Sequence, residues 1–173
     1  MKKKSIVTGG AGFIGSNLVD KLLKIGHKVI VLDNFVSGRR KNLSHHKTKN
    51  LEIVKIDISK NNNLVKYFNN TDYVFHLAGL AEIIPSIKNP TKYYNNNVIG
   101  TLNVVEAAKK VKVKKFIYAA SSSCYGIPKK YPTSENEKIA AQHPYGLTKF
   151  LGEEIVMSYA SIFKMPNISF RFF

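Results

Sequence analysis

Three glycines at a three-residue step, Gly9, Gly12 and Gly15, separate a β-branched run from an apolar helical pattern in "SIVTGGAGFIGSNLVDKL", residues 5–22. Glycine weakens strands and helices alike, because it loses the most backbone freedom on ordering. Three of them at a strand–helix junction therefore mark a tight turn that something approaches closely. In such a unit the first glycine makes the turn, the second opens the backbone to a phosphate and the third lets the helix pack on the strand. The helix N-terminus then offers unpaired N–H groups and a positive dipole end to a pyrophosphate. Asp33, 18 residues beyond Gly15, closes the second apolar run. A carboxylate there accepts hydrogen bonds from ribose hydroxyls and repels a 2′-phosphate, which favours NAD over NADP. Arg39 and Arg40 follow soon after and pull that preference the other way.

The unit repeats its logic along the chain. After "SIVTG" comes helical spacing over residues 13–25 (Phe13, Ile14, Leu18, Leu22, Ile25). "KVIVLD" (28–33), "LEIVKID" (51–57), "DYVFHLAG" (72–79), "KKFIYAASS" (114–122) and "NISFRFF" read as further strands, with helices over about 92–111 and 145–163. Nearly all-apolar strands are buried on both faces, as in a parallel sheet. Regular alternation with helices implies right-handed crossovers and an α/β, doubly wound sheet. The 173 residues form one domain, 1–173.

Charge and composition exclude other classes. The net charge of +16 would ordinarily point to a polyanion. However, 24 of the 27 basic residues are scattered lysines, and asparagine is abundant (Asn61, Asn62, Asn63; Asn95, Asn96, Asn97). Joint enrichment in Lys, Asn and Ile is what an A/T-rich genome produces, and arginine, the usual reader of base edges, appears three times. No nucleic-acid partner is expected. No apolar run approaches membrane-spanning length, and the basic start Met1–Lys4 is followed by an apolar run too short for a signal core. A cytoplasmic protein without a membrane partner is expected. The single Cys124 excludes an internal disulfide and a multi-cysteine metal site.

A second constellation lies near the C-terminal end. Tyr145 and Lys149 are spaced i, i+4 and share a helix face. Ser121-Ser122-Ser123 ends the fifth strand, and an irregular stretch from Gly126 to Pro144 follows at the sheet edge where ligands bind in this architecture. A phenol in water is a poor base at neutral pH, but neighbouring cations favour its phenolate form. A serine hydroxyl beside it can hold the reacting oxygen.

With these residues in view, the sequence resembles the extended short-chain dehydrogenase/reductases, the NAD-dependent epimerase/dehydratase family of nucleotide-sugar enzymes, which have a Rossmann fold. "TGGAGFIG" matches the cofactor turn, "LDNF" the ribose-binding strand end and "DI" at Asp57-Ile58 the adenine contact. "HLAGL" (76–80), "NNVIGTLNVVEAA", "SSSCYG", "YGLTK" and "RFF" match later signatures from end to end. Within the family the sequence is most similar to the UDP-glucose and UDP-N-acetylglucosamine 4-epimerases.

The resemblance implies NAD as cofactor and a UDP-sugar substrate oxidised transiently at C4. It places Gly9, Gly12, Phe13, Ile14 and Gly15 along the pyrophosphate, and Asp33 and Asn34 on the ribose with Ser37 and Gly38 just beyond. Asp57 and Ile58 flank adenine, Leu77, Ala78 and Gly79 pass under the cofactor, and Asn97 supports the site from the central helix. Tyr145 is the base and Lys149 binds the nicotinamide ribose. Counting back from Tyr125-Gly126, the catalytic serine is Ser121, with Ser122 the alternative. The family also implies a homodimer through the helices near 92–111 and 145–163, whose apolar residues (Val98, Leu102, Val105; Phe150, Ile155, Met157) exceed one buried stripe.

Family members continue beyond the sixth strand into a C-terminal substrate lobe, so a chain ending at Phe173 is expected to lack that lobe. Three alternatives stay open: a UDP-glucuronate decarboxylase, a non-catalytic NAD-binding fragment, and a 4,6-dehydratase, against which Ser122 and Ser123 stand where an acid–base carboxylate pair would be needed. The remaining candidates read as structural. Cys124 is expected in the core, His76 as a satisfied strand histidine and Tyr93-Tyr94 as packing for a helix start. His45-His46 and His143 lack partners at metal-ligand spacing, so no metal is expected.

Overall fold

Ile6 and Val7, in the apolar run before the glycines, are fully buried and point to opposite faces of β1 (Lys4–Thr8). The computed structural model describes residues 2–60 and 63–173; Met1, Asn61 and Asn62, noted above for charge and composition, lie outside the described residues. Among the described residues β1 is joined by β2 (Lys28–Asp33), β3 (Leu51–Lys55), β4 (Tyr73–His76), β5 (Lys115–Ser121) and β6 (Asn167–Phe172). The strands form one parallel sheet in the order β3-β2-β1-β4-β5-β6. The order reverses between β1 and β4, and a crevice opens there at the carboxyl ends of the strands.

Helices cover both faces of the sheet except at β6, where Ile168, Phe170 and Phe172 are exposed, so that strand is not buried on both faces as its apolar run led one to expect. On one face, Val19 and Leu22 of α1 (Phe13–Lys24) and Leu43 pack with Val7, Val29 and Val31. On the other, Val104 and Val105 of α5 (Gly100–Lys110, after the short helices α2, Val65–Phe68; α3, Ile83–Lys88; and α4, Pro90–Tyr93) and Val156 of α6 (Pro144–Phe163) pack with Ile6, Val74, Phe116 and Tyr118. The doubly wound expectation holds. No described helix is long and apolar enough to cross a membrane.

Three local expectations need correction. The buried stripe of α1 is Gly15, Ser16, Val19 and Leu22; Phe13, Ile14 and Ile25 are exposed, the first two on the wall of the crevice. The helix expected over 92–111 is not uniform. Between α4 and α5 the backbone widens into a π-helical turn, Tyr94–Ile99, which carries the buried Asn97. Of the aromatic pair there, Tyr93 is buried and Tyr94 exposed. Finally, Val105 belongs to the core, so it adds nothing to an outward apolar face.

Candidate active site

The glycine turn is shaped by backbone contact. Gly9 has φ +69°, and a Cβ there would lie 2.7 Å from Ala78 N. A Cβ on Gly15 would lie 2.2 Å from Gly9 O, so the helix start can touch the turn only without a side chain. Gly12 precedes α1 and supplies no side-chain cap, which leaves the first N–H groups of the helix toward the crevice. Gly9, Gly12, Phe13, Ile14 and Gly15 all line this cavity of about 310 Å³.

At its far end Asp33 is buried, with Oδ2 accepting from Ala11 N (3.0 Å) and Oδ1 from Phe35 N (2.8 Å). Both oxygens would lie 2.9 Å from a Cβ on Gly38. Asn34, Ser37 and Gly38 line the same end. Arg40 stacks its guanidinium over the Phe35 ring, 4.7 Å from the centroid, and neither Arg39 nor Arg40 lines the cavity. Ile58 lines it too, whereas the Asp57 carboxylate accepts from Ser59 N (3.0 Å) and Ser59 Oγ (2.7 Å).

Leu77, Ala78 and Gly79 form the floor, having left the sheet after His76. Asn97 supports that floor from behind. Its Oδ1 accepts from Leu80 N (2.8 Å), and its Nδ2 donates to Leu80 O (3.0 Å) and to Thr148 Oγ1 (3.1 Å). His76 lies fully buried beneath it, with Nδ1 2.6 Å from Thr8 Oγ1 and Nε2 2.9 Å from Thr101 Oγ1. Thr101 donates to Asn97 O and Thr8 Oγ1 accepts from Ala78 N. Burial and the nearby Lys149 push the His76 pKa down to about 3, so the ring is neutral. Thr8, Thr101 and Thr148 were not singled out from sequence. Nothing in their spacing marks them, because their partners lie on other elements.

The other end of the crevice holds the proton-transfer candidates. Tyr145 Oη donates to Ser121 Oγ across 3.2 Å, and Ser121 Oγ also accepts from Ser123 N (3.2 Å). Ser122 lines the cavity wall, but the serine bonded to Tyr145 is Ser121. Lys149, one turn further along α6, is buried with Nζ 4.4 Å from the centre of the Tyr118 ring. Burial pulls its pKa down to about 8, with Glu153 opposing. Glu153 is itself paired with Arg171 Nε at 2.9 Å. Ile14, Leu77, Gly79, Leu80 and Ala119 line both ends, so one continuous groove runs from Asp33 to Tyr145. An open helix start, a buried carboxylate at one end and a buried cation at the other fit an extended dinucleotide.

The other expectations resolve locally. Cys124 is buried, its thiol pKa raised by that burial. His143 caps α6, its Nδ1 accepting from Gly146 N (3.1 Å). The stretch from Gly126 to Pro144 is pinned by Arg171 Nη1 on Glu135 O (3.2 Å) and by Ala140 N on Cys124 O (2.9 Å).

Known proteins resemble this chain in sequence and fold. The sequence pattern of the NAD dependent epimerase/dehydratase family matches residues 5–173. The bifunctional UDP-glucose 4-epimerase and UDP-xylose 4-epimerase 1 of Pisum sativum is 39% identical over 162 residues, covering 88% of this chain and 46% of the relative. The UDP-N-acetylglucosamine 4-epimerase from Methanobrevibacter ruminantium M1, solved in complex with UDP-N-acetylmuramic acid, superposes with a TM-score of 0.93 at 37% identity, over 99% of this chain and 55% of that one. The UDP-glucose 4-epimerase from Brucella ovis, solved in complex with NAD, gives 0.91 at 31% identity, over 99% and 52%. The chain spans about half the length of these relatives.

Proposed function

The chain belongs to the NAD dependent epimerase/dehydratase family, and from that premise we propose that it carries the cofactor site and the proton-transfer residues of a sugar-nucleotide 4-epimerase acting on a UDP-sugar. The observation that carries this reading is the Tyr145–Ser121 hydrogen bond, set at the end of a groove that begins at Asp33. NAD fits that groove, and when bound it would supply reversible hydride acceptance from a sugar carbon. The α1 N-terminus with Gly9, Gly12, Phe13, Ile14 and Gly15 would hold the pyrophosphate. Asp33, Asn34, Ser37 and Gly38 would hold the ribose, Asp57 and Ile58 would flank the adenine, and Leu77, Ala78 and Gly79 would form the floor. Lys149 would hold the second ribose, and Asn97 keeps the floor in place.

With its own proton first released to solvent, Tyr145 Oη would take the proton of the sugar 4-hydroxyl and later return it. Ser121 Oγ orients that hydroxyl through the hydrogen bond it now shares with Tyr145. The Lys149 ammonium sits in a dry pocket against the Tyr118 ring, one helical turn along from Tyr145. No carboxylate lines this end of the groove among the described residues, which counts against an elimination that needs a carboxylate acid–base pair.

Calorimetric titration with NAD and NADP, followed by proton NMR of UDP-glucose and UDP-N-acetylglucosamine incubated with the chain and NAD, tests the reading. Tighter NAD binding with formation of the 4-epimer, abolished in Tyr145→Phe, supports it. NAD binding without conversion supports the non-catalytic nucleotide-binding reading instead. A homodimer through the helices near 92–111 and 145–163 forms part of the same proposal: Ile99, Leu147, Met157 and Ile162 remain exposed on them. Sedimentation equilibrium is expected to show a dimer at high micromolar chain concentration; a monodisperse monomer removes that part.

A further inference from the structure

His45-His46 was expected to lack a metal-ligating partner, and the fold overturns that expectation. Asp20, from the middle of α1, places Oδ1 3.1 Å from His45 Nε2 and 2.6 Å from His46 Nε2. The three donor atoms all lie within 4.8 Å of one another, and the two imidazole rings are 4.0 Å apart between centroids. None of the three residues lines the groove.

The arrangement is built by the core beneath it. Val19 and Leu22, which bracket Asp20 on α1, share a buried cluster with Leu43. Leu43 ends the short 3-10 turn Arg40–Leu43, and His46 N donates to Leu43 O (3.2 Å). The turn is tied to the start of α1 by Arg39 N on Ala11 O (3.0 Å) and Asn42 Nδ2 on Ala11 O (2.8 Å). The two histidines are thereby delivered to the outer shoulder of α1 where Asp20 stands.

We propose that Asp20, His45 and His46 form a three-ligand site for a transition-metal dication that prefers imidazole, of the Zn²⁺ and Ni²⁺ class, joining α1 to the segment after β2. Two imidazole nitrogens and one carboxylate oxygen are the donor set such ions take. Tetrahedral bonds of about 2.0–2.1 Å place ligand atoms roughly 3.3 Å apart, so small side-chain rotations suffice. Asp20 and His45 are solvent-accessible, so water completes the coordination shell. Mg²⁺ and Ca²⁺ want mostly oxygen ligands, and this site offers one carboxylate among nearby lysines, Lys21 and Lys24. They are excluded.

The test is calorimetric titration of the untagged chain with ZnCl₂ and NiCl₂, with MgCl₂ and CaCl₂ for comparison, in a buffer that does not chelate. One equivalent of Zn²⁺ or Ni²⁺ is expected to bind, with no uptake of Mg²⁺ or Ca²⁺. Affinity is expected to fall by about tenfold or more in both Asp20→Asn and His46→Gln, since the first removes the ligand's charge and the second its imidazole. His143→Gln is expected to bind as the wild type does. Zn²⁺ is also expected to raise the melting temperature of the wild type and not that of Asp20→Asn. Unchanged Zn²⁺ affinity in either ligand variant, or no binding at millimolar metal, overturns the proposal. NAD titration of each variant separates loss of the site from loss of the fold.

Discussion

Asp33 and Lys149 mark the two ends of one groove, and both are more than nine-tenths buried, yet their charges are held in opposite ways. The carboxylate of Asp33 receives two backbone N–H groups, from Ala11 and Phe35. A buried charge so bonded costs little. The ammonium of Lys149 meets the Tyr118 face, and no ion pair to it occurs among the described residues. Burial pulls its pKa down to about 8, against the opposing pull of Glu153. The Asp33 end is therefore complete as a piece of protein, whereas the Lys149 end holds a cation that Glu153 offsets only in part and that stability alone would not select.

If the Asp33 end is a finished backbone structure, it should not yield to an added methyl. Gly15→Ala places Cβ 2.2 Å from Gly9 O and 2.7 Å from Gly10 Cα, where only backbone could give way. It is expected to cost about 3 kcal/mol or more in urea denaturation and to abolish calorimetric NAD binding. Gly26 offers the contrast. It has φ +85° and open space around it, so Gly26→Ala carries only conformational strain of about 1 kcal/mol and leaves NAD binding intact. A Gly15→Ala chain that binds NAD normally would show that the turn is pliable and that the comparison is drawn wrongly.

At the other end the same measurement should change sign. A lysine whose folded pKa falls from 10.5 to about 8 binds fewer protons folded than unfolded between those values, so its cost is full below pH 8 and fades as pH rises to 10.5. That difference corresponds to about 3 kcal/mol, from which the Tyr118 face returns about 1 kcal/mol to the charged form. Lys149→Met is thus expected to stabilise the chain by about 2 kcal/mol at pH 7 while weakening NAD binding. The gain should shrink through pH 8 to 10.5 in denaturation curves taken against wild type. Destabilisation at pH 7 would mean the ammonium is compensated.

The two ends also differed in how far sequence could describe them. The glycine turn and Asp33 are local: their roles follow from spacing along one strand–turn–helix–strand unit, and each stands where that spacing put it. Ser121, Tyr145 and Lys149 were legible as residues, but that Ser121 rather than Ser122 is the serine bonded to Tyr145 shows only in a contact across 24 positions. Asn97 read as a helix residue supporting the site. Its clamp on Leu80 depends on the π-helical turn, which no hydrophobic period announces. The pairing of Asp20 with His45 and His46 was invisible for the same reason: it joins α1 to a turn whose position is set by Leu43 in the core.

Beneath the middle of the groove, His76 links the two halves, and its effect is expected to be smaller. Its folded pKa of about 3 lies below the ordinary 6.5, so its contribution is present above pH 6.5 and is lost as pH falls toward 3. Between pH 7 and 5.5 wild type is expected to lose about 1 kcal/mol through this group. His76→Gln, which keeps hydrogen-bonding capacity toward Thr8 and Thr101 without titrating, should lose correspondingly less over that interval. Parallel pH dependence of the two chains would place the acid sensitivity elsewhere.

The smallest effect belongs to Arg40, and it bears on whether the Asp33 end is as settled as its hydrogen bonds suggest. An arginine shortly after this strand could receive a 2′-phosphate and shift the preference toward NADP. Here the guanidinium is stacked on Phe35, whose own N–H donates to Asp33, and it stays off the cavity wall. The carboxylate rather than the arginine should then set the preference. Arg40→Ala is expected to alter the ratio of NAD to NADP affinity by less than about threefold, under about 0.7 kcal/mol, whereas Asp33→Asn should shift the ratio toward NADP. Titrations of both cofactors against both variants at one ionic strength decide it. A large swing in Arg40→Ala would show that the guanidinium leaves Phe35 when a 2′-phosphate arrives, and the Asp33 end would then have to be described as responsive to its ligand rather than finished as a piece of protein.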